Sequence, residues 1–164
     1  MLDGTHSHPI DIEIVNSDPF FPNLNVRDFQ ESRRVPASLA PALIAEKLSA
    51  AIFLINGRLL VWKAARMEEG NAKLENIEQP TLMIGQEQNR ELVFHYRQAV
   101  LAYAMGELHP NIVSLMARDE AMEYQDKTEK NVRMHFDQAN DSIRRIRGET
   151  TYRGQSRHLF SVLI

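Results

Sequence analysis

From residue 38 onward the apolar positions of the chain recur with a helical period. Ile44, Leu48, Ala51, Ile55, Leu59 and Trp62 follow one another at steps of three and four, which draws one apolar stripe along a helix. Ser38 suits the N-cap, and Pro41 falls in the first turn, where a missing N–H is harmless. Asn56-Gly57 interrupts the run, but the stripe keeps its phase through Leu59 and Trp62. An interior glycine costs only about 1 kcal/mol relative to alanine. The pattern therefore predicts one long helix over 38–68, ended by Gly70-Asn71.

Two further helices follow from the same reasoning. Leu92, Tyr96, Ala99 and Tyr103, widened by Val93, Val100 and Ala104, predict a helix over 88–108. His109-Pro110 predicts its break, because the residue before proline avoids the α region, with a short helical piece at 111–117. Val132, Phe136, Ala139, Ile143 and Ile146 step by 4, 3, 4 and 3, the seam of an antiparallel bundle, and predict a helix over 119–147. Arg144, Arg145 and Arg147 in its last turn complement the helix dipole, and Gly148 is a fitting residue just past its end.

The segments between and around these helices lack a period. In the leader, Asn16-Ser17-Asp18-Pro19-Phe20-Phe21-Pro22 places two adjacent rings between two prolines. Proline fixes its own φ and holds the preceding residue extended, so Phe20 and Phe21 project from a stiff support. They dock either on this chain's own helices or on another copy. Residues 69–87 read as a long loop with a small hairpin or extended piece around Leu82-Met83-Ile84, between Pro80 and Gly85. Loops of that length are often functional, which makes it a candidate contact element. The chain closes with Leu159-Phe160-Ser161-Val162-Leu163-Ile164, a β-prone apolar stretch suited to a groove on a neighbour or to folding back on its own helices. The expected organisation is an extended acidic arm at 1–37, an all-α antiparallel bundle of three main helices at 38–148, and an extended apolar tail at 149–164.

Composition narrows the function classes. With 43% hydrophobic and 25% charged residues the chain suits a single soluble domain, and its apolar runs are too short to span a bilayer. No secretion signal opens it and it holds no cysteine, so the cytosol is the expected compartment; disulfides, thiolate catalysis and cysteine-ligated zinc are excluded. A net charge of −3 argues against a dedicated DNA-binding domain. Charge is unevenly spread: residues 1–30 carry −4 and residues 140–164 carry +3, a polarity that suits head-to-tail association of identical subunits.

Candidate chemistry is sparse. His6 and His8 lack further ligands at metal-binding spacing. His95 and His135 lie beside apolar residues on predicted helices, and the carboxylate pairs look like solvated faces. No GxSxG, Walker or GxGxxG motif occurs, so neither an enzyme nor a cofactor is expected. The alternative is a small helical nucleic-acid-binding or regulatory protein that presents Arg144, Arg145 and Arg147 to phosphates. Interleaved Asp137, Asp141 and Glu149 weigh against it.

The order of motifs adds a resemblance. Asp18 to Pro22 is followed by Asp28-Phe29 and Arg34-Val35 before the first long helix, then by Tyr96 to Val100, and the chain closes on Leu163-Ile164. This succession resembles the head completion/stabilisation (GPL) family of temperate contractile-tailed bacteriophages. Residues 110–130 and 150–160 have no counterpart in the pattern. The resemblance implies a non-enzymatic virion protein at the head–tail interface, assembled in the host cytoplasm. It would bind the portal vertex of the DNA-filled capsid, retain packaged DNA and form the platform for the tail-terminating protein. It also implies a helical connector fold and a homo-oligomeric ring of about a dozen subunits, closed by a heterologous contact. The expected contact residues are Phe20 and Phe21, Leu82, Met83 and Ile84, and Leu159, Phe160, Val162, Leu163 and Ile164, with Arg144, Arg145 and Arg147 facing DNA.

Overall fold

Why the chain folds back on itself before its first long helix is a matter of local hydrogen bonding. In the computed structural model, which describes residues 11–115 and 118–149 (backbone only for 118–127), β1 (Glu13–Ile14) pairs antiparallel with β2 (Leu24–Asn25), Glu13 opposite Asn25. The Asn25 side chain then caps α1 (Val26–Arg33) by accepting from the Arg27 N–H at 2.8 Å. Arg34 ends that helix in the left-handed region, at φ 53°. The leader is thus not an extended arm throughout; asparagine capping and burial of Val26 and Phe29 build a helix there that no long apolar period announced.

The main helix of the first half, α2, runs Pro41–Glu68. Its expected stripe is the buried one: Ile44, Leu48, Ala51, Ile55 and Leu59 are core residues. The helix begins at Pro41, with Ala40 as an N-cap that lacks a side-chain bond, so Ser38 does not cap it. It ends as expected: Gly70 has φ +93°, and the Gly70 and Asn71 N–H groups return to the carbonyls of Met67 and Arg66.

After a 3₁₀ turn at Leu74–Asn76, the small hairpin expected around Leu82-Met83-Ile84 forms from β3 (Thr81–Ile84) and β4 (Glu87–Arg90), the second strand taking residues 88–90 expected to open the next helix. Thr81 stands opposite Arg90 and Ile84 opposite Glu87. Gly85, at φ +63°, takes the first central position of the two-residue turn, where primed hairpin turns need positive φ. Next come α3 (Glu91–Ser114) and α4 (Arg118–Ile146), which form the most extensive helix pairing. The expected break at His109-Pro110 does not occur: α3 continues through Pro110. An interior proline costs about 3 kcal/mol. Burial of Leu108 and His109, and close packing of α3 on α4 where Gly106 meets Phe136, offset it. Gly148 closes α4 at φ +73°, with the Gly148 and Glu149 N–H groups bonded to the carbonyls of Arg145 and Arg144.

The described part of the protein is therefore mostly helical, with 65% of its residues in four helices and two small antiparallel sheets beside them, and is not the purely all-α three-helix bundle expected. Its core joins Phe20, Phe21 and Phe29 from the leader to α2, α3 and the end of α4. Among the described residues no helix is long and apolar enough to cross a membrane.

Candidate functional site

The Asp18–Pro22 element is seated by a polar hub and an aromatic stack. Asn16 donates from Nδ2 to the Tyr96 hydroxyl at 2.7 Å, Tyr96 donates to Asn56 Oδ1 at 2.7 Å, and Asn56 Nδ2 donates back to Asn16 Oδ1 at 2.9 Å. Asn16 Nδ2 also reaches the Pro22 carbonyl at 3.1 Å. This closed ring satisfies three buried or half-buried groups at once, which is why Asn56, in the middle of α2, is polar. Burial pushes the Tyr96 hydroxyl far above the ordinary phenol range; the bond from Asn16 pulls it down, and the Asp18 charge raises it further. Tyr96 stays neutral and serves as a donor.

On this hub lie the two rings. Phe20 and Phe21 are each 3% exposed. Phe21 stacks on Tyr96, and Phe20 meets Phe21 edge-on at 5.1 Å and Trp62 at 6.3 Å. Asp18 holds the turn through the Phe20 N–H at 3.1 Å and pairs with Lys63 at 2.5 Å. The Phe20 carbonyl accepts from the Leu74 N–H at 2.8 Å, tying the leader to the segment before the hairpin. Both rings are thus buried within their own subunit. Beside them opens a cavity of about 370 Å³ whose walls include Val15, Pro19, Pro22 and Lys73.

The hairpin is the opposite case. Leu82, Met83 and Ile84 are 72%, 64% and 63% exposed. Successive strand residues point to opposite faces, so neither face of β3 is covered. Its base is nevertheless fixed. The Glu91 N–H donates to the Pro80 carbonyl at 3.0 Å, Arg90 donates to the Glu75 carbonyl at 2.8 Å, and Gln79 Oε1 accepts from the Leu92 N–H at 2.7 Å. The result is an apolar finger on a rigid root.

The arginines at the end of α4 diverge. Arg144 pairs with Asp141 at 3.5 Å in solvent. Arg145 lines a groove of about 940 Å³ formed by α3, α4 and Arg33 of α1, whose lining also includes Lys130, Arg133, Asp137 and Asp141. Arg147 is bonded to the Arg58 carbonyl and lies 3.7 Å from Glu149, so it fastens α4 to α2. Arg33, whose pKa burial lowers, bridges Gln98 at 2.6 Å and Gln138 at 3.1 Å. Burial also lowers His95, with Arg145 adding to the fall and Glu91 opposing it. His109 and His135 are lowered by burial as well, and their rings lie 6.2 Å apart.

No group of three potential metal ligands converges among the described residues. Leu159, Phe160, Val162, Leu163 and Ile164 lie outside the described residues. Sequence reasoning missed the Asn16–Asn56–Tyr96 hub; the one signal was an asparagine interrupting an otherwise apolar stretch of helix.

The described residues thus form a helical body that carries an anchored apolar finger. The chain belongs to the phage head completion protein (GPL) family, whose family model matches residues 15–155. The resemblance read from the motif order is thereby established, and with it a structural role in the phage head as a virion component. No curated protein and no solved structure matches the chain.

Proposed function

We propose that the protein is a head–tail connector adaptor: it binds the portal vertex of the filled capsid, retains the packaged DNA and presents a platform to the tail-terminating protein. The single observation that carries this reading is the β3–β4 finger, with Leu82, Met83 and Ile84 exposed on a hydrogen-bonded root. An isolated two-stranded hairpin is marginal in water, and an exposed apolar one is a hazard unless a partner covers it. Family membership supplies the class of partner, other head and tail proteins.

The subunit associates in a ring of about a dozen copies through a heterologous contact, for which an apolar finger and separate receiving surfaces are suited. In the assembled state the apolar segment Leu159–Ile164 serves as a second contact element. The cavity beside Phe20 and Phe21, whose lining includes both residues, is a third. Arg144 and Arg145, exposed at the end of α4, face the DNA-filled lumen.

Replacement of the finger's apolar residues (Leu82→Ser, Met83→Ser, Ile84→Thr) tests the reading on portal-bearing, DNA-filled heads. Loss of sedimentation with heads, at unchanged thermal unfolding, is expected. Wild-type sedimentation by the triple variant would overturn it.

A further inference from the structure

The β3–β4 finger has two faces of different chemistry. In its register Leu82 stands opposite Asn89 and Ile84 opposite Glu87, while Thr81 faces Arg90 and Met83 faces Gln88. Cross-strand partners share a face and neighbours along a strand alternate, so one face carries Leu82, Ile84, Asn89 and Glu87. That face is apolar with one carboxylate beside it, and the Glu87 side chain has no hydrogen-bond or ion-pair partner among the described residues. On the other face Arg90 is held by the Glu75 carbonyl. The root is fixed at Gln79, Pro80 and Arg90, and the finger's apolar side chains stay exposed rather than folding onto their own subunit.

The groove formed by α3, α4 and Arg33 has the matching chemistry. Phe94 and Met134 line it, and both are exposed. Lys130, Arg133 and Arg145 line it too, and none of these three side chains has a hydrogen-bond or ion-pair partner among the described residues. Of the two carboxylates in the lining, Asp141 pairs with Arg144, which leaves Asp137 to face three open cations. Along α4 the lining runs from Lys130 to Arg145, about 22 Å. A four-residue strand is about 13 Å long, so the finger fits within that length.

Other apolar surfaces match the finger's side chains but not its charge. The outer side of α2 exposes Phe53, Leu60 and Val61, but Arg58 there is engaged by Asn140. At the cavity beside Phe20 and Phe21, Lys73 already lies 3.7 Å from Glu75. A carboxylate pressed against an apolar surface with no cation loses its water without compensation. Only a surface with open cations can take Leu82, Ile84 and Glu87 together, and the groove supplies them.

We propose that the finger of one subunit seats in this groove of a second copy, with Leu82 and Ile84 against Phe94 and Met134, and Glu87 among Lys130, Arg133 and Arg145. This contact, which rests on the ring association proposed above, joins two different surfaces. Each subunit gives a finger and receives one, and such a head-to-tail contact forms a ring when its rotation closes.

The chain holds no cysteine, so single-cysteine variants report on contacts between copies. Chains carrying Ile84→Cys are mixed with tagged chains carrying Met134→Cys, both on portal-bearing, DNA-filled heads and at high concentration without heads. A short bifunctional thiol reagent should give a tagged–untagged dimer roughly tenfold above a control in which Val61→Cys, on the outer side of α2, replaces Met134→Cys. A yield no greater than the control in either setting overturns the proposal, as does a greater yield with Val61→Cys. Charge gives a second readout. Glu87→Arg in the Ile84→Cys chain should lower the yield about fivefold, and Arg133→Glu in the Met134→Cys chain should restore part of it. A yield indifferent to both changes also overturns the seating. If the dimer forms in solution but the parent protein does not sediment with heads, the adaptor reading fails and the contact stands.

Discussion

The ring of Phe21 lies on that of Tyr96 with centroids 4.6 Å apart and planes inclined by only 7°. One ring comes from the leader and the other from the second turn of α3, and Asn16 and Asn56 clamp the Tyr96 hydroxyl from the far end. The pair joins residues that are 75 positions apart, so it reports on the tertiary fold as a whole.

Truncation of Phe21 to alanine should destabilise the protein by about 3–5 kcal/mol, the usual range for a buried phenylalanine. Tyr96→Phe keeps the stack and removes only the hydroxyl, leaving the Asn16 and Asn56 amides short of a partner; a loss of about 1–3 kcal/mol is expected. Urea unfolding read by far-UV circular dichroism gives both values. A Tyr96→Phe variant as stable as the parent would show that the hub contributes nothing beyond the stack.

The sole tryptophan, Trp62, sits 6.3 Å from Phe20. Phe20→Ala should therefore alter Trp62 emission in native buffer, and Asp18→Asn, which weakens the tie to Lys63, should alter it less. Steady-state fluorescence is the measurement. Identical spectra for all three proteins would mean that the leader's contact with α2 does not set the environment of Trp62.

Gly106 is required by packing, not by backbone angle. A β-carbon there would stand 2.7 Å from Cε1 of Phe136. Gly106→Ala gains helix propensity of up to about 1 kcal/mol but must move a ring wedged between α3 and α4, so a net loss of about 1–2 kcal/mol is expected. Phe136→Leu in the same chain should recover part of that loss, a coupling that a double-mutant cycle measures.

Three half-buried or buried histidines give the stability a pH dependence. His95, His109 and His135 all have pKa values lowered from the ordinary 6.5 by burial. The folded state then binds protons less readily than the unfolded chain. Their contribution is present above pH 6.5 and is lost as the pH falls through that value towards the lower folded pKa values. The melting temperature should fall between pH 7.5 and 5.5, and His109→Gln with His135→Gln should flatten the slope. Melts across that window decide it, and an equally steep slope in the double variant would place the titrating groups elsewhere.

Much of this protein was legible one residue at a time. The buried stripe of α2, the seam of α4 from Ala139 to Ile146 and the stops at Gly70 and Gly148 follow from spacing and from backbone freedom, both local properties. The succession of short motifs was enough to mark the family. Tertiary structure decided the rest. Pro110 stays inside α3 because packing on α4 outweighs a local penalty, and the second strand of the hairpin runs to Arg90, past the expected helix start, because Gln79 and Arg90 bond its root. Where Phe20 and Phe21 point, and why Asn56 is an asparagine, depend on partners dozens of residues away. Periodicity says which side of an element is apolar; only the assembled chain says what that side meets.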